Sequence, residues 1–360
     1  MKIGILTYHR SHNYGALLQA VALRSFLKKL GHDVVFVDYW PSYHREMYSC
    51  FDAYLFKRFS LKNKLTYIYR FYRDFFPSRS RRRNFDDYIA KYILPYCSNP
   101  RLDEYDVVVY GSDQIWRKQS RLDNRFNAVY FGANELKTKI HVAYSASMGA
   151  LVCSDEDCLF LKENLRKFAM IGVREASLQL FLLNCGIPNV DVTVDPSFLL
   201  SKKEWEMTFP LDPLIKKPYL LFYDLTPNSF DEDSVCKFAK KNGLEIVRIQ
   251  GFANKKNKYS VCGPYEMLNY VRNADFVLSS SFHGLAFSLI FEKEFFCSFG
   301  FNSKRAEDLL EIVGLKDRYL HPLTTFSMPK NKIDYSIVCE KILCEKKFSV
   351  EFLNRINDIV

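Results

Sequence analysis

Residues 279–296, SSSFHGLAFSLIFEKEFF, set three serines, a histidine and a glycine at the head of a long apolar run. Leu285, Phe287, Leu289, Ile290 and Phe291 suit a core helix, which has no packing need for His283. An imidazole titrates near neutrality, so a histidine at the start of a helix can both donate and accept protons. The ordinary alternative is a core histidine satisfied by a backbone carbonyl, and for one isolated histidine that alternative prevails. Here four other polar groups fall at comparable places. Asn13 and Gly15 lie in TYHRSHNYGALLQ, Gly111-Ser112-Asp113-Gln114 follow YDVVVY, Ser145-Ala146-Ser147-Met148-Gly149 follow HVAY, and Arg174 ends MIGV. Singly, Asn13-Tyr14-Gly15 reads equally as a turn, Asp113 as a helix cap, and Arg174 as half of a surface pair with Glu175 that contributes little. Together they suggest hydroxyl, amide and cationic donors gathered around an anion.

The elements that must hold these groups alternate strand and helix. KIGILT reads as a buried strand. Ala16, Ala20, Leu23, Leu27 and Leu30 then recur at helical spacing, Gly31 stops the helix, and DVVFVD is the next strand. The alternation continues through YDVVVYGSDQ, HVAYSASMG, MIGVRE and VDVTVDPSFLL. Around residues 201–217 the stretch SKKEWEMTFPLDPLIKKP, with three prolines counting Pro218 and with mixed charge, reads as a linker. A second series follows, with strands YLLFYDL, LEIVRIQ, DFVLSSS and EFFCSFG separated by helices. The expectation is α/β, with parallel sheets covered on both faces. The domains expected are 1–200, with an insertion at about 45–94, then 213–330, then terminal helices over 331–360. In open parallel sheets ligands sit beyond the carboxyl ends of strands, where helix N-termini aim free N–H groups. Two domains each directing such loops inward would line one cleft.

Composition narrows the function. The chain has 360 residues, 48% hydrophobic and 16% aromatic, enough for two cores. Its net charge of +10, from 51 Lys+Arg against 41 Asp+Glu, favours anionic partners. Ten cysteines form no CxxC pair and read as free thiols in a reducing compartment. The N-terminal apolar run is too short for a signal peptide and no stretch approaches a membrane span, so the expected location is cytoplasmic. A Walker loop, a GxGxxG fingerprint, an HExxH motif and a GxSxG elbow are all absent from the sequence. No metal site is expected, and none of these motifs supports ATP, dinucleotide or serine-hydrolase chemistry.

In order along the chain, NYGALLQAVAL, YDVVVYGSDQIW, AYSASMG, GVREASL, VTVDPSFLL, SSSFHGLAFSLIFEKEFF and KRAEDLLEIVGLKDR resemble the polysaccharide pyruvyl transferase family. The likeness runs from residue 3 to about 320. It implies two Rossmann-like domains facing across a cleft, as in GT-B glycosyltransferases. It also implies transfer of the pyruvate unit of phosphoenolpyruvate to two sugar hydroxyls as a ketal, in cell-surface polysaccharide synthesis, with no cofactor. His283 then becomes the acid/base, with Asp113 orienting an acceptor hydroxyl or serving as a second base. Arg174 matches a donor-binding arginine of the family. Ser279, Ser280, Ser281 and Gly284 fall on the donor side, and Asn13, Gly15, Ser112, Gln114, Ser145 and Ser147 on the acceptor side. One position departs: better-known branches of the family carry Arg-x-His where this chain reads Ser281-Phe282-His283. A serine cannot replace a bidentate cation. Either Arg305, with Lys304 beside it, supplies the charge, or the donor differs. A nucleotide-sugar glycosyltransferase and a non-catalytic phosphoanion-binding module therefore remain alternatives.

Residues 45–94 hold twelve Lys/Arg against five acids, interleaved with fourteen Tyr/Phe. The ordinary reading is a helical insertion with its aromatics inward and its charges in water. If the acceptor is a lipid-linked oligosaccharide, this surface would instead give weak, salt-sensitive association with an anionic inner membrane face, through Arg79, Arg81, Arg82 and Arg83. Nothing else in the chain supports a nucleic-acid partner.

Overall fold

A computed structural model of the chain describes residues 1–133, 136–149, 153–300 and 304–359. The chain opens with β1 (Lys2–Leu6), α1 (Tyr14–Lys29), β2 (Asp33–Val37) and α2 (Ser42–Met47). Three helices follow, α3 (Ala53–Arg58), α4 (Leu61–Arg73) and α5 (Phe75–Tyr92). Then come β3 (Cys97–Ser98), β4 (Glu104–Tyr110), β5 (Lys137–Ala146), α6 (Asp155–Leu165), β6 (Phe168–Val173), α7 (Ala176–Asn184) and β7 (Val190–Val192). The rest is α8 (Lys202–Thr208), β8 (Tyr219–Asp224), α9 (Glu232–Lys241), β9 (Glu245–Gln250), α10 (Pro264–Asn273), β10 (Phe276–Ser279), α11 (Phe282–Ile290), β11 (Phe295–Cys297), α12 (Lys304–Val313) and α13 (Tyr335–Asn354).

Contacts divide the chain into two compact units. The first comprises residues 1–47, 89–200 and 343–360; the second comprises 48–88 and 201–342. The first holds a seven-stranded parallel sheet in the order β3-β2-β1-β4-β5-β6-β7, and the second a four-stranded parallel sheet in the order β11-β10-β8-β9. Strands covered on both faces should be apolar along their length rather than alternating. That is what β8 is: its first five residues, Tyr219–Tyr223, are all buried. The end of α1 follows from local chemistry, because Gly31 takes φ +91°, a region open to glycine at no steric cost. In the first unit Trp116, Tyr130, Phe131 and Tyr110 fill the core beside β4 and β5, and in the second Phe222, Phe238, Phe276 and Phe296 do so.

Several readings of the sequence change. The short β3 precedes the strand read as third. The supposed linker opens with α8, capped reciprocally by Ser201 and Glu204, and its Trp205 is fully buried. A tryptophan in a polar, proline-bearing stretch anchors it. The basic aromatic insertion is helical, but residues 48–88 belong with the second unit although they interrupt the first in sequence. Specific bonds hold them there: Arg81 Nη1 donates to the Gln250 carbonyl (2.6 Å), and Asn84 Nδ2 to that of Val261 (2.8 Å). The end of α13 returns to the first unit, where Ser349 Oγ accepts from Val194 N (2.9 Å). Cys158 and Cys185 are joined as a disulfide between α6 and α7, with Cα atoms 5.4 Å apart, and the other eight cysteines are free thiols. Among the described residues no helix is long and apolar enough to cross a membrane.

Candidate active site

Each sheet reverses its strand order once. In the first sheet the chain steps outward from β1 on one side and from β4 on the other; in the second it does so from β8 and β10. The crevice beyond the carboxyl ends at such a point is where open α/β sheets bind ligands. The polar groups singled out after β1, β4 and β10 lie at these two points, and those after β5 and β6 beside the first of them.

In the first unit, Thr7 follows β1 and its Oγ1 donates to the Ser112 carbonyl (2.8 Å), joining the loops that leave β1 and β4. Gly111 is required there. It has φ +121°, and a Cβ on it would lie 2.3 Å from the Tyr144 carbonyl oxygen. Ser112 Oγ donates to the Ser145 carbonyl (3.0 Å), and Ser147 N donates to the Asp113 carbonyl (3.0 Å). Arg174 closes this cluster from the end of β6. Its guanidinium pairs with Asp195 (3.0 Å) and bonds the hydroxyls of Ser112 and Ser145. Both side chains are almost completely buried, Arg174 at 3% and Asp195 at 0% exposure, so this is an interior ion pair rather than the surface pair with Glu175. Glu175 instead accepts from Ser147 Oγ (2.6 Å).

Asp113 stands at φ +80°, half-buried, with its Oδ1 accepting from Gln114 N (2.8 Å). Gln114 lies alongside, its carbonyl accepting from Tyr8 Oη (3.3 Å). Asn13 is exposed, and its side chain accepts from Ala16 N (3.2 Å), the helix-cap role; Gly15 is buried in the first turn of α1.

The sequence reading passed over the histidines around Asp113. His44, on α2, packs against Tyr8 with tilted rings whose centroids are 4.5 Å apart, and its Nε2 meets Ser11 Oγ at 3.3 Å. Burial pushes its pKa down to about 4; the Asp113 carboxylate opposes that shift, while His9 and His12 add to it. A neutral imidazole thus stands near a carboxylate. His9 Nδ1 must donate to the Thr7 carbonyl (3.0 Å), and its Nε2 faces Asp38 (3.3 Å), which Arg10 also grips (2.5 Å). Burial would raise the Asp38 pKa, but the bond from His9 and the charge of Arg10 outweigh it and hold the carboxyl below its usual range. His9, Asp38 and Cys97 offer three metal-ligand atoms within 4.8 Å of one another. Arg10 already supplies a counter-charge there. His9 and His12 were visible in TYHRSHNYG, whereas His44 lies over thirty residues away and only folding brings it near.

In the second unit, Ser280 N donates to the Tyr223 carbonyl (2.9 Å), and Ser280 Oγ accepts from Leu225 N (2.8 Å) and Thr226 N (2.9 Å), tying the loops that leave β8 and β10. Ser279 Oγ donates to the Ser281 carbonyl (3.0 Å) and accepts from Ser281 N (3.1 Å). The chain therefore turns sharply into α11 just before His283. Gly284 permits that turn, since a Cβ there would meet Ser279 Oγ at 2.1 Å and Tyr223 Cδ1 at 2.5 Å. His283 is half-buried in the first turn of α11, its ring 5.5 Å from that of Phe282. Over the same Phe282 ring lies the Arg305 guanidinium, 5.3 Å from the centroid. Arg305 thus comes to the histidine turn from the first turn of α12. Lys304 is exposed and pairs with Asp308 on its own helix (2.9 Å).

The sequence profile of the polysaccharide pyruvyl transferase family matches residues 13–298, spanning both clusters. The chain belongs to the polysaccharide pyruvyl transferase family. No curated protein matches it. Among solved structures it is similar to UDP-GlcNAc 2-epimerase from Methanocaldococcus jannaschii, at 10% identity over 96% of this chain and 93% of the other, with a TM-score of 0.47. It is similar to MnaA of S. aureus, solved with UDP, at 12% identity over 98% and 90% of the two chains, with a TM-score of 0.43. A third is the calicheamicin glycosyltransferase CalG4, at 15% identity over 99% and 96%, with a TM-score of 0.35. These likenesses concern chain architecture alone.

Proposed function

We propose that this family member transfers the pyruvate unit of phosphoenolpyruvate to two hydroxyls of a sugar in a polysaccharide precursor. The observation that carries this reading is the geometry of the histidine turn. His283 heads a helix at the reversal point of the second sheet, and Arg305 reaches the adjacent ring. A helix N-terminus and a guanidinium suit a donor that carries both a carboxylate and a phosphate.

In the reaction, a proton adds to the methylene carbon of phosphoenolpyruvate and turns it into a methyl group. Positive charge builds at C2, where the first sugar hydroxyl forms a C–O bond and gives up its proton. The C2–O bond to phosphate breaks and phosphate departs with a proton. The second hydroxyl then bonds C2 and closes the ketal. One hydroxyl proton thus balances the methyl group and the other leaves with phosphate. His283 is assigned the proton transfers at the donor. Asp113, with neutral His44 near it, is assigned to accept the proton of an acceptor hydroxyl, and Ser112, Ser145 and Gln114 hold the loops that position it.

The test is incubation with phosphoenolpyruvate and lipid-linked or synthetic glycosides. A pyruvate ketal increment by mass spectrometry, with one phosphate released per ketal, is the expected result. A glycosylated product from a nucleotide sugar, with no increment from phosphoenolpyruvate, would overturn the reading.

A further inference from the structure

The basic aromatic segment leaves one helix face bare. Along α4, Leu61 (78% exposed), Leu65 (63%), Tyr69 (64%) and Tyr72 (75%) recur at spacings of three and four residues, which places them on one stripe, and Phe76 (77%) stands exposed in the first turn of α5 just beyond its end. Large apolar side chains scattered singly on a surface need no explanation, but a row of four with a fifth beyond it does. The opposite side of α4 is already used. Tyr67 and Phe71 pack against Phe51, and Tyr67 also against Phe56 and Phe59. The helix is therefore seated by one face and presents the other outward.

The charges around the stripe indicate what covers it. Between residues 53 and 73 there are six Lys/Arg and not one Asp or Glu. Lys57, Arg58 and Lys62 are exposed, and at 100° per residue Lys62 falls along one edge of the stripe and Lys64 along the other; Arg73, on the Lys62 edge, is paired with Asp74. A second copy docking here about a two-fold axis would set this basic patch against itself, and like charges across an interface are unfavourable. A surface both apolar and anionic meets the stripe and its edges together, as for a helix lying in the plane of a bilayer interface.

We propose that the exposed face of α4, continued by Phe76, is the surface by which this protein associates with an anionic membrane. The contact differs from the one suggested by Arg79 to Arg83. Arg81 is bonded to the Gln250 carbonyl, and Arg82 and Arg83 stand opposite Asp86 and Asp87 one turn on. The inference does not rest on the identity of the donor.

Sedimentation of the full chain with vesicles of equal parts phosphatidylglycerol and phosphatidylcholine, at low and high salt, tests it. Pelleting at low salt, weakened at high salt and absent with pure phosphatidylcholine, is expected. The triple change Lys57→Gln, Arg58→Gln, Lys62→Gln should lower the partition coefficient about fivefold per charge removed. Leu61→Ser with Leu65→Ser and Phe76→Ser should reduce pelleting to the pure-phosphatidylcholine level, with an unchanged thermal midpoint because these side chains are exposed. Equal pelleting with both vesicle types, or wild-type pelleting of either folded variant, overturns the proposal. So does a concentration-dependent dimer in sedimentation velocity that the serine changes dissolve, in a protein that binds no vesicles.

Discussion

Replacing Arg174 by alanine tests what the arginine at the end of β6 does. Its guanidinium and the Asp195 carboxylate are both buried, 3.0 Å apart, and Arg174 also bonds the hydroxyls of Ser112 and Ser145. Removing one partner of a buried pair strands the other charge and costs about 3–5 kcal/mol. Arg174→Ala should therefore lose about that much in urea denaturation at neutral pH. Asp195 Oδ1 also accepts from Ser197 N (2.9 Å), so the companion change is Asp195→Asn, which keeps that acceptor and removes the charge. The double variant Arg174→Met with Asp195→Asn should recover at least about 2 kcal/mol over Arg174→Ala, because no lone charge remains inside. A loss below about 1 kcal/mol for Arg174→Ala, or no recovery in the double variant, would refute the interior ion pair. The double variant also separates structure from donor binding. If Arg174 touches the donor as well, the folded double variant should lose at least about tenfold in kcat/KM for phosphoenolpyruvate, the scale of one charge-assisted contact.

His283→Gln should leave the thermal midpoint nearly unchanged and cut turnover by roughly 10²–10⁴, the usual weight of general acid–base catalysis; near-wild-type turnover would return His283 to a packing role. Arg305→Ala should raise the KM for phosphoenolpyruvate by about tenfold or more, and a wild-type titration curve would remove Arg305 from the donor site. The unfolded chain protonates His44 near pH 6.5, while the folded chain does so only near its pKa of about 4. Between those values the unfolded state binds more protons, so the stabilisation is complete above about 6.5 and is lost as pH falls toward about 4, by roughly 3 kcal/mol. Denaturation of wild type and His44→Gln across that range should show a flatter profile for the variant, and parallel profiles would contradict it.

The strands were legible because parallel strands buried on both faces are written as apolar runs, as in YLLFYDL and YDVVVY. The loops at their carboxyl ends were legible because serine, glycine and aspartate directly after such a run have little use in a core. What the sequence hides is pairing across distance. Arg174 and Asp195 read as unrelated residues of neighbouring strands, and Glu175, adjacent in sequence, looked like the partner; the fold instead directs Glu175 to Ser147. His44 lies in an unremarkable stretch, and its low pKa arises from burial that local pattern does not record. The membership of residues 48–88 was hidden likewise, because two bonds to carbonyls more than 160 residues away, those of Gln250 and Val261, leave no trace in periodicity.

The two polar clusters use one device twice. At each reversal point a hydroxyl ties together the two loops that leave the central strands: Thr7 to Ser112 in the first sheet, and Ser280 to Leu225 and Thr226 in the second. A glycine then lets backbone pass where a Cβ would collide, at Gly111 and at Gly284. These bonds fix the direction of each following turn, which carries Asp113 in one unit and His283 in the other. The same device clarifies Ser281. Its backbone N–H and carbonyl both engage Ser279 Oγ, so this position serves to shape the turn. An arginine at 281 would keep those backbone bonds but would give up the side-chain bond between Ser281 and the buried Tyr223. A guanidinium does come to this turn from another helix, since Arg305 reaches the Phe282 ring from the first turn of α12. Ser281→Arg in an Arg305→Ala background is therefore the substitution that asks whether the two positions are interchangeable carriers of a single charge.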